Sequence, residues 1–278
     1  MEPPQLYPLS IGEILDRAFR LYRRHFGLLI GITMAAYVPM TVLQILSFFT
    51  FRSTQIVDLI QNSFISLLIS GALTSAISNL YLGNSVSMNE AYQAIRERYG
   101  SAWGGQFLVG LFIAIPIMSI TCALLFFLSI QDQLRIFIVI LVLIPIVLFL
   151  TTRWSLMLPA ILLESHKAKE GLDRSWELTE GIFGHVFWTT SLAGLLIYIF
   201  SIFPQLAFAY GLEFFVPGSS YGPLVQTVFS QIALIFASPL SIAVNVVLFY
   251  DILVRKEGFD LKFQLEHDFL ETEEETNL

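Results

Sequence analysis

Apolar residues run almost without charge through six stretches, at about residues 27–50, 60–82, 105–129, 135–158, 185–210 and 226–249. Each approaches or exceeds the ~20 residues that a helix needs to cross ~30 Å of hydrocarbon. In lipid the backbone must satisfy its own hydrogen bonds, which only helices and closed barrels achieve, and continuous apolar runs lack the period-2 alternation of a barrel strand. The pattern therefore predicts an all-α integral membrane protein with six transmembrane helices.

Between the runs the pattern changes period. Ile11, Ile14, Leu15, Ala18, Phe19, Tyr22 and Phe26 recur at helical spacing, with Glu13, Asp16, Arg17, Arg20, Arg23 and Arg24 on the other faces. This predicts an amphipathic helix on the membrane surface. Leu15-Asp16-Arg17-Ala18-Phe19, closing on Phe26-Gly27, returns 157 residues later as Leu172-Asp173-Arg174-Ser175-Trp176, closing on Phe183-Gly184. A fainter copy places Glu90, Trp103, Gly104 and Pro116 77 residues after Glu13, Phe26, Gly27 and Pro39. The chain thus divides into repeat units of about 11–83, 87–164 and 168–254, each a surface helix followed by a transmembrane hairpin, within a single membrane domain of residues 1–262. An even number of crossings per unit gives every copy the same orientation and permits a pseudo-threefold axis along the membrane normal.

The spans differ in character. Asp58, Asn62, Ser66, Ser70, Thr74 and Ser78 form an i, i+4 row along the second, whereas the fourth is almost wholly Ile, Leu, Val and Phe. Small polar residues let helix backbones approach closely, so the second span belongs at the bundle centre, with Ser70 at a close contact, and the fourth belongs against lipid. The row reads either as tight packing or as a wetted pathway.

Hydrophobic residues make up 55% of the chain and charged residues 13%, too few charges to cover a water-exposed surface. The 15 Lys and Arg are sorted: all but Arg52 and Arg135 fall on one side of the six-span topology. By the positive-inside rule that side is the cytoplasm, both termini included. Six acids between Glu266 and Glu275 give residues 263–278 the character of a solvated acidic tail.

Chemistry is sparse. His25, His166, His185 and His267 make no HExxH motif, phosphate-binding glycine patterns are absent, and Cys122 is alone. No cofactor, metal or catalytic residue is predicted, and no nucleic acid is an expected partner. Arg153, beside Trp154 near the inner end of the fourth span, reads as a snorkelling charge. On a helical wheel Arg17 stands nearly opposite the apolar face and Asp16 flanks it, a geometry that Arg174 and Asp173 repeat. A residue turned from lipid need not be Arg for anchoring. The two arginines are therefore expected to fasten their helices to acids at the inner span ends, Glu164, Asp251 and Glu257, or to a partner protein. With Trp176 these residues form the candidate interaction face; Asp58, Asn62, Ser66, Ser70, Thr74 and Ser78 form the candidate polar core.

Four segments together carry a family resemblance: Leu9 to Arg24, Tyr81-Leu82-Gly83 with Glu90-Ala91, Arg174 to Gly181, and Tyr250 to Leu261. Their order and placement at membrane boundaries resemble the bacterial membrane domain attached to some glycerophosphodiester phosphodiesterases, which also occurs free-standing. The resemblance implies that phosphodiesterase chemistry belongs to a separate soluble barrel that this sequence lacks. The reading is then a non-enzymatic module of the bacterial cytoplasmic membrane that anchors, organises or regulates a partner in lipid or envelope metabolism. Its expected surroundings are a bilayer with an anionic inner leaflet and a protein partner. The alternative is a permease or channel for a small or amphiphilic solute.

Overall fold

The computed structural model describes residues 7–127, 132–215 and 222–259. The predicted acidic tail lies outside them. The described residues fold into helices: α1 (Ile11–Arg24), α2 (Phe26–Phe51), α3 (Gln55–Ile60), a π-helical turn (Gln61–Ile65), α4 (Ser66–Tyr81), α5 (Met88–Phe127), α6 (Asp132–Arg153), α7 (Met157–Leu163), α8 (Ala168–Thr179), α9 (Phe183–Phe215) and α10 (Gly222–Glu257). No strand occurs among these residues. Five helical stretches are long and apolar enough to cross a membrane, and α8 with α9, bent by 104° between them, makes the count up to six.

Several boundaries depart from those predicted. The second span begins at Gln55 and reaches α4 through the π turn. The fourth apolar run breaks after Arg153 and resumes as α7. Residues 87–104 do not form a separate surface helix but enter the third span as the unbroken helix α5. The joints before α2 and α9 do break, at His25 and around Gly181, whose φ of +76° suits a residue without Cβ.

Three helices start alike. Ser10 N–H donates to Glu13 at 2.7 Å, Ser87 N–H to Glu90 at 2.7 Å and Lys167 N–H to Glu170 at 3.0 Å. A glutamate three positions in reaches back to an N-terminal amide that has no partner within the helix. Ser10 and Ser87 return the bond through their hydroxyls.

The core lies toward the basic end of the bundle. Ile14 and Ala18 of α1, Ala72, Leu73, Ala76 and Ile77 of α4, Ala91 and Ile95 of α5, Ile161 of α7 and Val246 to Leu248 of α10 are all fully buried. Close approach depends on glycine: a Cβ on Gly71 would lie 2.3 Å from Ile95 Cδ1, and one on Gly171 would lie 2.3 Å from Ile161 Cγ1. The amphipathic face of α1 is accordingly divided. Ile14 and Ala18 pack on protein, while Phe19 and Phe26 stay exposed. The far halves carry open apolar surface, as at Leu46, Phe49, Ile115, Met118, Leu141 and Ile144. That exposure suits a lipid solvent. The fourth span thus faces outward, and α4 is the enclosed part of the second.

Candidate functional site

At the basic end, one carboxylate gathers three elements. Asp251, 2% exposed on α10, accepts the backbone N–H of Leu9 at 2.6 Å, faces His185 Nε2 of α9 at 3.0 Å and accepts Arg255 Nε at 2.8 Å. Arg255 also donates to the Leu9 carbonyl. Leu9, 1% exposed, is the hydrophobic plug of this joint, and Ser10 then caps α1. A buried carboxylate is tolerable only when its lone pairs are met by donors, as they are here.

A second cluster surrounds Arg174 of α8. Its Nε and one terminal nitrogen grip Glu164 at 2.7 and 2.8 Å, and the same nitrogen donates to Glu257 of α10. His166 Nε2 lies 3.1 Å from Glu164. The bidentate geometry ties the end of α7, the middle of α8 and the end of α10 together. Of the two arginines predicted to hold acids, Arg174 has this arrangement. Arg17 instead donates to the Tyr81 hydroxyl at 3.3 Å and lies 4.6 Å from the centre of the Tyr7 ring. Asp251 is taken by Leu9, His185 and Arg255, so its share in the predicted Arg17 pairing is corrected. The cause is placement: α1 packs along α10 with Leu9, not Arg17, level with the carboxylate.

Of the remaining members of the predicted face, Asp16 and Asp173 point outward, whereas Trp176 packs on its neighbours. Asp16 pairs with Arg20 at 3.0 Å in solvent and edges an apolar groove of about 590 Å³ between α1, α9 and α10. Asp173 is exposed and pairs with no described residue. Trp176, 38% exposed, covers Arg153 with its ring centre 4.7 Å from the guanidinium carbon, and Phe149 and Phe183 approach the same cation at 5.3 and 5.2 Å. Arg153 donates to Thr179 at 3.2 Å while its Nε is buried without a partner. Arg153, read from the sequence as a snorkelling charge, is thus surrounded by an aromatic box formed by α6, α8 and α9.

The predicted polar row is broken by the π turn. Thr74 and Ser78 are buried, Ser66 and Ser70 half-buried, and Asn62 exposed. Ser78 shares a 2.7 Å hydrogen bond with the Tyr250 hydroxyl. Asp58 accepts Gln44 Nε2 and the Thr54 hydroxyl, each at 2.8 Å. Gln61, which the sequence places beside the row, faces inward in place of Asn62 and joins Gln44 of α2 and Gln231 of α10 in a ring of amides, each contact 3.1 Å. Gln44 and Gln231, isolated in apolar runs, give no periodic signal; their only clue is the cost of an unpaired amide in lipid. Ser70 does not sit at a close helix contact, which belongs to Gly71. It lines a cavity of about 170 Å³ together with Ser66, Thr74, Gln106, Ser155 and Asn245.

Among the described residues no three His, Cys, Asp or Glu side chains converge as a metal site would require. Comparison with curated proteins and with solved structures finds no match. The family described as the membrane domain of glycerophosphoryl diester phosphodiesterase matches residues 126–274, more than half of the 278 residues. The match covers a membrane domain and no catalytic one, and its span holds Arg153, Glu164, Arg174, His185, Asp251 and Glu257. The chain belongs to the family of the glycerophosphoryl diester phosphodiesterase membrane domain.

Proposed function

We propose that this membrane domain is a non-enzymatic module that anchors or organises a protein partner at the inner face of a bacterial cytoplasmic membrane, in the setting of lipid or envelope metabolism. The observation that carries this reading is the division of labour on α8. Its inner face is held by Arg174 to Glu164 and Glu257, while Asp173, Trp176 and Glu177 remain exposed. A rigid helix presenting acid and aromatic side chains loses little freedom when it is covered, which favours docking. The sorting of Lys and Arg supports a cytoplasmic position for that face and for both termini.

A photo-crosslinking residue in place of Asp173 or Glu177, in cells carrying the full chain, tests the reading. A discrete cross-linked protein is expected from both positions and none from Leu141 on the opposite, lipid-facing side. Absence of a discrete product at both α8 positions would end the proposal. Orientation is checked separately in a Cys122→Ser background: Gln55→Cys should react with an impermeant maleimide on intact cells, and Asn84→Cys only after permeabilisation.

A further inference from the structure

In the three sets of contacts that seat the helices of the basic end on the spans, the seated residues are related by the sequence offsets 77 and 157. Tyr22 donates to the Phe236 carbonyl at 3.2 Å, and Phe26 stacks on Phe236 at 6.2 Å. Tyr99 donates to the Phe64 carbonyl at 3.0 Å, and Trp103 stacks on Phe64 at 6.0 Å. Thr179 accepts Arg153 at 3.2 Å, and Phe183 packs on Phe149 at 5.2 Å. Each unit thus leans on the second span of the unit before it, and the first leans on the last. That is a closed ring. Six residues beyond the three anchors Phe64, Phe149 and Phe236 stand Ser70, Ser155 and Ile242, and all three line the same cavity of about 170 Å³. The cavity lies where equivalent positions of the three second spans converge.

Its lining is uncharged and mixed, with hydroxyls and amides set among Leu67, Leu158, Pro159 and Ile242. Ser66, Thr74 and Ser155 spend their hydroxyl protons on carbonyls three or four residues back in the chain, at 2.8, 2.7 and 2.8 Å, and keep lone pairs free to accept. The amides of Asn245 and Gln106 and the hydroxyl of Ser70 bond to no other described residue. Gln106 is exposed and stands at the mouth; Asn245 lies half-buried within. Unpaired amides are costly in an apolar bundle, and a polar occupant relieves that cost. At roughly 30 Å³ for each water, the space of about 170 Å³ holds about six waters, and a molecule of six linked non-hydrogen atoms fits within it. A charged occupant would find no counter-ion among the lining residues and would be desolvated without return.

We propose that this axial cavity is a binding site for a small uncharged solute rich in hydroxyl or amide groups. The site goes beyond the anchoring role and stands apart from it. The test uses the full chain purified in detergent, carrying Cys122→Ser and Ser70→Cys, and follows modification of the thiol by methyl methanethiosulfonate. Lactamide, of the right size and neutral, should slow labelling by about tenfold at saturation. Lactate, of equal size but charged, and xylitol, too large, should leave it unchanged. Asn245→Leu should abolish the lactamide effect. If Asn245→Leu does not fold, Ser155→Cys with Ser70→Leu asks the same question, and lactamide must again lose its effect. An unreactive thiol, equal slowing by all three solutes, or protection that survives these substitutions would overturn the site.

Discussion

The carboxylate of Asp251 accepts the backbone N–H of Leu9 at 2.6 Å, joining residues 242 positions apart. The first described helix is thereby held by the last, at a point from which solvent is excluded. Removing the acceptor strands a main-chain amide, an arginine and a histidine together. Asp251→Ala should cost about 3–5 kcal/mol, the penalty for uncompensated buried charge. Asp251→Asn should cost nearly as much, because its amide turns a donor toward groups that already donate. Thermal denaturation in detergent measures both; a shift no larger than that of an exposed control such as Asp173→Asn would contradict the clasp.

The two arginines of the repeated segments should behave differently. Arg174 is about one-fifth exposed and holds two carboxylates, so Arg174→Gln should cost ~2 kcal/mol even after allowance for solvent screening. Arg17 donates to an uncharged phenol, and Arg17→Gln should cost under ~1 kcal/mol. Equal losses would place their attachments on a par.

Gly71 is one of the tight contacts of the bundle, as Gly171 is. Gly71→Ala should destabilise by about 1–3 kcal/mol through overpacking against Ile95, and Ile95→Val in the same chain should recover part of the loss. Gly110→Ala, whose Cβ would meet nothing within 4 Å, should be neutral or slightly stabilising. Failure of Ile95→Val to help would mean that strain arises elsewhere.

The cap of α1 has a pH signature. Hydrogen bonds from the Ser10 hydroxyl, then from its backbone, hold the Glu13 carboxyl below its ordinary value of 4.5. A lowered folded value means that the stabilisation is complete above 4.5 and is lost as pH falls through the depressed value. Amide exchange in α1 should therefore accelerate in acid relative to the rest of the core. Glu13→Gln should make that difference insensitive to pH; an unchanged acid response would rule out the cap as its source.

What the sequence disclosed and what it hid follow from the range of each signal. The apolar runs are long and local, so the spans are readable, though not all their ends: α5 starts well ahead of its run, at Met88. Arg174 stands out because it recurs in register with Arg17, and Glu164 and Glu257 lie at span ends that a helical hairpin brings near. Leu9, His185 and Asp251 meet only after the chain has closed on itself, and no periodicity joins them. Ser70 and Gly71 are neighbours, but which of them faces Ile95 depends on a helix rotation of about 100° that the i, i+4 row alone cannot set.

The π turn at Gln61–Ile65 gives this last point a genetic form. A π turn is an α-helix that has absorbed one residue, and the insertion re-phases everything before it against everything after. Gln61 reaches the amide ring and Asn62 is turned outward on account of that one extra residue. Deleting a single residue between 61 and 65 would then act less as a loss than as a frameshift in space: the helix could run on regularly into α4, but α3 would present a different set of side chains to α2 and α10.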